Sequence, residues 1–393
     1  MVQSHISVIL DKALADETLS AAEGYRLIRC PDDDVPALLA AAGALRDRHK
    51  GRTVTYSRKV FLPVTNLCRD RCSYCTFRKD PRDPDAWTMT PEEIQLWVDR
   101  GRAQGCKEAL MCLGDKPEKA YHQYRKTLAD FGHTTTTAYV YRACEIALAS
   151  GLLPHTNAGV LSQDEMKLLK DVNVSLGLML ENISPRLRQK GMAHFSAPDK
   201  DPAVRVRMLR EAGELAIPFT TGILIGIGET LEERIDSLVA IRDIHRAYGH
   251  IQEVIVQNFR AKPDTRMAAA PEPESLDMAK TVAVARLLLG GHMNVQAPPN
   301  LSPDDHRLLL RAGINDWGGI SPVSRDYVNP EAAWPQIAAL GATCAAESFE
   351  LRERLAIYPE YVRSDFLDDR LAAPVARLAR TIAPEGTDAA AAV

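Results

Sequence analysis

The stretch KVFLPVTNLCRDRCSYC, residues 59–75, runs from an apolar, β-branched segment straight into three closely spaced cysteines. KVFLPVT reads as a short buried strand, and Cys68, Cys72 and Cys75 follow it as C-x3-C-x2-C. Outward from it, the same grammar repeats. EALMCLG, LLPHTNAG, VNVSLGLML, PFTTGILIGIG, EVIVQNF, NVQAP and INDWGGISP are further strand candidates, most of them separated by helical stretches such as PEEIQLWVDRGRAQG or LEERIDSLVAIRDIHRAY. About eight β/α units in series predict an α/β, TIM-like (β/α)8 barrel, in which chemistry sits where the strands end. A helical extension over residues 1–52, the barrel over 53–345 and a C-terminal extension over 346–393 are the expected divisions. The last ten or so residues, rich in Ala, are expected to be disordered.

Composition narrows the class. The 393 residues are 46% hydrophobic with a formal charge of −4 and acids and bases mixed throughout. No basic stripe offers a surface for nucleic acid, and no apolar run approaches a membrane span. The N-terminus lacks the basic region of a leader. A cytoplasmic enzyme of small molecules is the expectation, with no nucleic-acid or membrane partner.

Eight cysteines are too sparse for a disulfide framework. Cys30, Cys106, Cys112, Cys144 and Cys344 read as core or surface thiols, whereas the trio reads as a metal site. A cubane iron-sulfur cluster takes four thiolates, so three with no fourth nearby leave one iron open, as a catalytic metal requires. The alternatives are a structural zinc completed by His49 or His122, and a non-catalytic electron carrier. Tyr74, just before the third cysteine, is placed to cover one face of the cluster.

A cysteine triplet of this spacing after the first barrel strand resembles the radical S-adenosylmethionine (SAM) superfamily. The resemblance implies one 4Fe-4S cluster whose open iron holds SAM, and a 5'-deoxyadenosyl radical kept from water inside the barrel. Under it, Asp115 after the second strand and Glu181 after the fourth would meet the SAM amino group or ribose. Arg205 would hold the carboxylate by its bidentate fork, with Arg207 as the substitute. Gly222, Gly226 and Gly228 in TTGILIGIGET would let backbone approach adenine and ribose. These glycines fall within and after a late strand, so they are not a dinucleotide fingerprint.

Longer stretches, among them SRKVFLPVTNLCRDRCSYCTFRK, LGDKPE, SAPDKDPAVRVRMLREAG, EVIVQNFRAKPDT, QAPPNL and AGINDWGGISPV, resemble the first subunit of FO synthase between about residues 55 and 345. That implies a lyase closing the central ring of a deazaflavin from a hydroxybenzyl ribityl-uracil adduct, with loss of ammonia. It also implies a second subunit supplying the adduct, since no second cysteine triplet follows, and an electron donor. Asn157, Gln257, Asn258 and Asp316 are the candidates for holding this polar substrate. Asp115, Glu181 and His155 are the candidates for the general base. Another biotin-synthase-like radical SAM activity is the alternative.

Overall fold

A computed structural model describes residues 6–382. Three helices, Ser7–Leu14, Ala21–Ile28 and Val35–Lys50, precede the first strand. Gly51, at φ 65°, ends the third in a conformation that few other residues adopt. Then come strands β1 (Thr53–Leu62), β2 (Glu108–Cys112), β3 (Leu153–Asn157), β4 (Ser175–Gly177), β5 (Phe219–Ile225), β6 (Ile251–Asn258), β7 (Val295–Gln296), β8 (Asp316–Ile320) and β9 (Glu350–Arg354). Each of the eight strands expected from the sequence is present.

All the pairings are parallel, and the order β2-β3-β4-β5-β6-β7-β8-β1 closes because β1 also pairs with β2. The closing register runs from Lys59 opposite Glu108 to Leu62 opposite Met111. Helices on the outside complete a TIM-like α/β barrel. Their starts are written locally: Thr90, Ser162 and Thr230 each form a capping box with the glutamate three residues on. Strand residues such as Val60, Met111 and Val254 are fully buried, each contributing about 1.5–3 kcal/mol by leaving water. The Pro91–Ala103 helix lies so close to β1 that a Cβ on Gly101 would stand 2.8 Å from that of Val60.

β9 was not expected. Its sequence, ELRER, has no apolar alternation, and its pairing with the first half of β1, Thr53 opposite Glu350 through Ser57 opposite Arg354, uses backbone groups that any residue supplies. The segment behind it closes the barrel where the strands begin. Leu355, Ile357, Tyr358, Tyr361 and Phe366 pack with Leu153 and Val174 in one buried cluster, and the Tyr361 hydroxyl donates to the Ile251 carbonyl at 2.9 Å. Thus the first part of the expected C-terminal extension is built into the barrel, while the tail expected to be disordered lies beyond the described residues. No helix among the described residues is long and apolar enough to cross a membrane.

Candidate active site

The loop after β1 carries the three cysteines across the mouth of the barrel, and backbone hydrogen bonds fix it from several sides. Arg71 N–H donates to Ser196 O at 3.0 Å, Ser73 N–H to Ala193 O at 2.9 Å and Met267 N–H to Ser73 O at 3.2 Å, tying it to the loops after β4 and β6. The turn after β2 presses on its base. Gly114 N–H donates to Thr65 O at 3.0 Å, and Asp115 N–H points to Cys68 Sγ at 3.1 Å. A Cβ on Gly114 would overlap the Leu67 carbonyl and the Cys68 side chain, so this turn requires glycine.

Cys68, Cys72 and Cys75 line a cavity of about 230 Å³ together with Tyr74, Cys112, Asp115, Asn157, Glu181, Lys200, Arg205 and Gln257. Burial pushes the Cys68 thiol well up and that of Cys72 to about 12. These sulfurs therefore need a cation to become thiolates. The only group of three potential ligands among the described residues whose donor atoms lie within 4.8 Å of one another is Asp70, Asp115 and Asp199. At least one pair of the three thiols therefore stands farther apart than that, whereas a single tetrahedral zinc would bring all its sulfurs to roughly 3.8 Å, given Zn–S bonds of about 2.3 Å. That arrangement is wider than one zinc allows, and neither His49 nor His122 lines the cavity.

Polar groups converge on the opposite wall. Asp115 accepts from Val160 N–H at 3.0 Å through Oδ2, while its buried Oδ1 has no partner among the described residues. Burial, reinforced by Asp199 and Asp70, raises this carboxyl to about 7. Glu181 sits at φ 62°, a conformation costing on the order of 1–3 kcal/mol outside glycine. Its backbone bridges to β5 at Gly222 O and Leu224 N, and its carboxylate meets Lys200 Nζ at 2.5 Å. Burial and Arg205 work against the Lys200 charge, but Glu181 and Cys72 hold its pKa above the usual lysine value. Arg205 is buried and donates through Nε to Asp199 O at 2.9 Å and through Nη1 to Met179 O. Tyr74 forms part of the wall. Its hydroxyl lies 3.0 Å from His194 Nε2, and burial keeps that imidazole neutral, at about 2.

Not every expected residue is here. Arg207 faces outward, its side chain 63% exposed beside Glu211, because two positions along a helix reverse the face. Gly222 and Gly226 do not line the cavity: a Cβ on the first would overlap Ile255 of β6, and one on the second would meet Pro273. Gly228, at φ 96°, is likewise a backbone requirement of the loop. Asn258 is occupied with Leu301 O at 3.1 Å and Ser302 at 3.5 Å. Asp316 is an ion-pair partner of Arg354 at the start of β8. His155 faces a second, lower cavity inside the barrel. Conversely, Lys200 and Asp199 were missed, because DKDP ahead of Pro202 reads as a helix start, and Asp201 does cap that helix. Asp70 was hidden between the cysteines themselves.

Residues 62–241 match the family model of the Radical SAM superfamily. The FO synthase of Mycobacterium tuberculosis (strain ATCC 25618 / H37Rv) is 48% identical over 404 residues, covering 96% of this chain and 47% of that protein. That of Streptomyces coelicolor is 47% identical over 384 residues, covering 94% and 44%. The chain thus spans about half the length of these relatives. The 7,8-didemethyl-8-hydroxy-5-deazariboflavin synthase of Methanopyrus kandleri is 48% identical over 326 residues, 83% of this chain and 97% of that protein. Among solved structures, methylornithine synthase superposes with a TM-score of 0.70 at 19% identity, covering 87% of this chain and 97% of the other. The FeFe-hydrogenase maturase HydG from Carboxydothermus hydrogenoformans gives 0.72 at 18%, covering 96% and 90%. These two show the fold, and the closer relatives show the lineage: the chain belongs to the FO synthase, or 7,8-didemethyl-8-hydroxy-5-deazariboflavin synthase, family of radical SAM enzymes.

Proposed function

We propose that this chain is the lyase that converts 5-amino-5-(4-hydroxybenzyl)-6-(D-ribitylimino)-5,6-dihydrouracil to the deazaflavin FO with release of ammonia. The observation that carries the reading is the convergence of three thiols with Asp115, Glu181, Lys200 and Arg205 on one cavity at the strand ends. Cys68, Cys72 and Cys75 would hold one 4Fe-4S cluster, which together with SAM supplies a 5'-deoxyadenosyl radical able to take hydrogen from the substrate.

The remaining work falls to the chain. The partnerless Oδ1 of Asp115 is suited to the SAM amino group, and Glu181, held by Lys200, to the amino group or ribose. Arg205, whose Nη2 has no hydrogen-bond partner among the described residues, is suited to the carboxylate. Tyr74 and Leu178 shield the cavity from water. Asp115 and Glu181 are the cavity carboxylates suited to accept protons during ring closure, and His155 could serve only a group that reaches the lower cavity. Asn157 and Gln257, whose amides make no side-chain hydrogen bond among the described residues, are the substrate contacts that remain from the sequence set. A second FO synthase subunit supplying the adduct, and a low-potential electron donor, are the partners this reading requires.

The test is anaerobic incubation of the reconstituted, reduced protein with SAM and the adduct. Formation of 5'-deoxyadenosine together with a fluorescent deazaflavin is the expected result. 5'-Deoxyadenosine without deazaflavin would overturn the substrate and favour another radical SAM activity. Neither product from protein with an intact cluster would overturn the catalytic reading.

A further inference from the structure

Below the cysteine-lined cavity lies a second one of about 170 Å³, inside the barrel, and Asn157, Met179 and Gln257 line both. Its wall comes from the strands themselves: Lys59 of β1 opposite Glu108 of β2, with His155 of β3 and Gln296 of β7. Such a barrel layer is ordinarily filled with branched apolar side chains. Here it is polar, and neither the cluster nor SAM calls for it.

We infer that this lower cavity is the binding site for a linear, uncharged, polyhydroxylated chain carried by the substrate. Given the function proposed above, on which the inference rests, that chain is the ribityl group.

The wall holds unused hydrogen-bonding capacity of both kinds. The Ser175 hydroxyl gives its one proton to Ala356 O at 2.6 Å, so its 2.6 Å contact with His155 Nδ1 needs the proton on the imidazole. That leaves His155 Nε2 as an acceptor, on a ring that burial keeps neutral with a pKa of about 4. Glu108 spends Oε2 on Ser57, and its Oε1 has no partner among the described residues. The Lys59 ammonium lies 4.7 Å from the Trp334 ring centroid, with no carboxylate paired to it among the described residues. The Gln296 and Gln257 amides likewise have no hydrogen-bond partner there.

Buried polar groups are normally paired, and each one left unmade costs about 1–3 kcal/mol. Several facing one space call for a polar occupant. Lys59 and Glu108 balance in charge, Arg354 at the floor pairs with Asp316, and burial raises the second carboxyl beside it, Glu253, to about 7, so no excess positive charge calls for an anion and a neutral occupant fits. A hydroxyl both donates and accepts, and a string of them matches this mixture better than a carboxylate or an amine. The larger upper cavity, walled by Tyr74, Phe77 and Leu178, then keeps the rings beside the cysteines.

The experiment compares the adduct with an analogue bearing N-methyl in place of N-ribityl, using cluster-loaded protein with SAM. It also compares the corresponding ribitylamino- and methylamino-uracils by calorimetry. We expect the wild type to prefer the ribityl compounds by about 30-fold or more, a few hydrogen bonds' worth. Glu108→Gln and Gln296→Leu should each reduce that preference about tenfold, or about 1.4 kcal/mol. Circular dichroism verifies folding, and if one variant does not fold the other carries the test. Deazaflavin formed by a wild type with no ribityl preference, or an unchanged preference in the folded variants, overturns the inference: the cavity then holds water only. 5'-Deoxyadenosine without deazaflavin from either adduct overturns the proposed function itself, and the ribityl assignment with it.

Discussion

Arg354 and Asp316 face each other at the floor of the barrel, with Nε 2.6 Å from Oδ2 and Nη2 2.9 Å from Oδ1. The same guanidinium reaches Glu253 Oε2 at 2.6 Å, and all three side chains are buried. Arg354 arrives on β9 and Asp316 on β8, so the pair pins the C-terminal segment to the barrel. Breaking a buried pair strands the remaining charges, so Arg354→Met should lower stability by about 3–5 kcal/mol. Urea denaturation checks this. A loss below about 1 kcal/mol, the level of a surface pair, would mean the floor is held by its apolar cluster alone.

Gly114 sets the position of Cys68. Since a Cβ there would overlap Leu67 O and the Cys68 side chain, Gly114→Ala must displace the cysteine loop. Overpacking of this kind costs about 1–3 kcal/mol, and the reconstituted variant should retain little iron. Cys106→Ala, at a buried thiol outside the cavity, should keep the wild-type iron content. Iron and sulfide analysis decides between them, and equal iron in both would remove the turn from the site.

Glu181 and Lys200 form a charged pair on the wall of the upper cavity, 2.5 Å apart. Hydrogen bonds to charged groups contribute about 1.5–3 kcal/mol, so Glu181→Gln should weaken SAM binding by about 10- to 100-fold. Arg207→Ala, on the outward face of its helix, should stay within about twofold, the range of ordinary surface substitutions. Anaerobic calorimetry with SAM measures both. Equal affinities would move SAM to another wall.

His155 links acidity to stability. Its pKa falls from 6.5 to about 4 on folding, chiefly by burial, so between those values the folded state binds fewer protons than the unfolded state. Its contribution is complete above pH 6.5 and is lost as pH falls towards 4, with a slope approaching about 1.4 kcal/mol per pH unit. The buried His194 and His250 act in the same direction, so the wild type as a whole should weaken with acid. The stability difference between wild type and His155→Gln isolates the one residue. It should shrink as pH falls from 7 to 5, and a constant difference would show that His155 is not kept neutral.

What the sequence by itself determined is what local chemistry and short periodicity can encode. Eight apolar runs alternating with helices specify a barrel, because parallel strands joined by crossover helices have few other closed arrangements. C-x3-C-x2-C after the first run marks one loop, because its spacing is local. Asp115 and Glu181 were legible from their places at strand ends, and Arg205 through the family likeness. What only the tertiary structure decided depends on partners far apart in the chain. Asp316 and Asn258 read as substrate groups, yet Arg354 and Leu301 O take them up. Gly222 and Gly226 read as cofactor contacts, yet Ile255 and Pro273 explain them. β9 carries no apolar pattern, since a ladder needs only backbone, and Lys200 joins the site only because the loop after β4 folds back over the cysteines. A side chain's neighbours across the barrel are set by register and loop packing, quantities that no window of sequence contains.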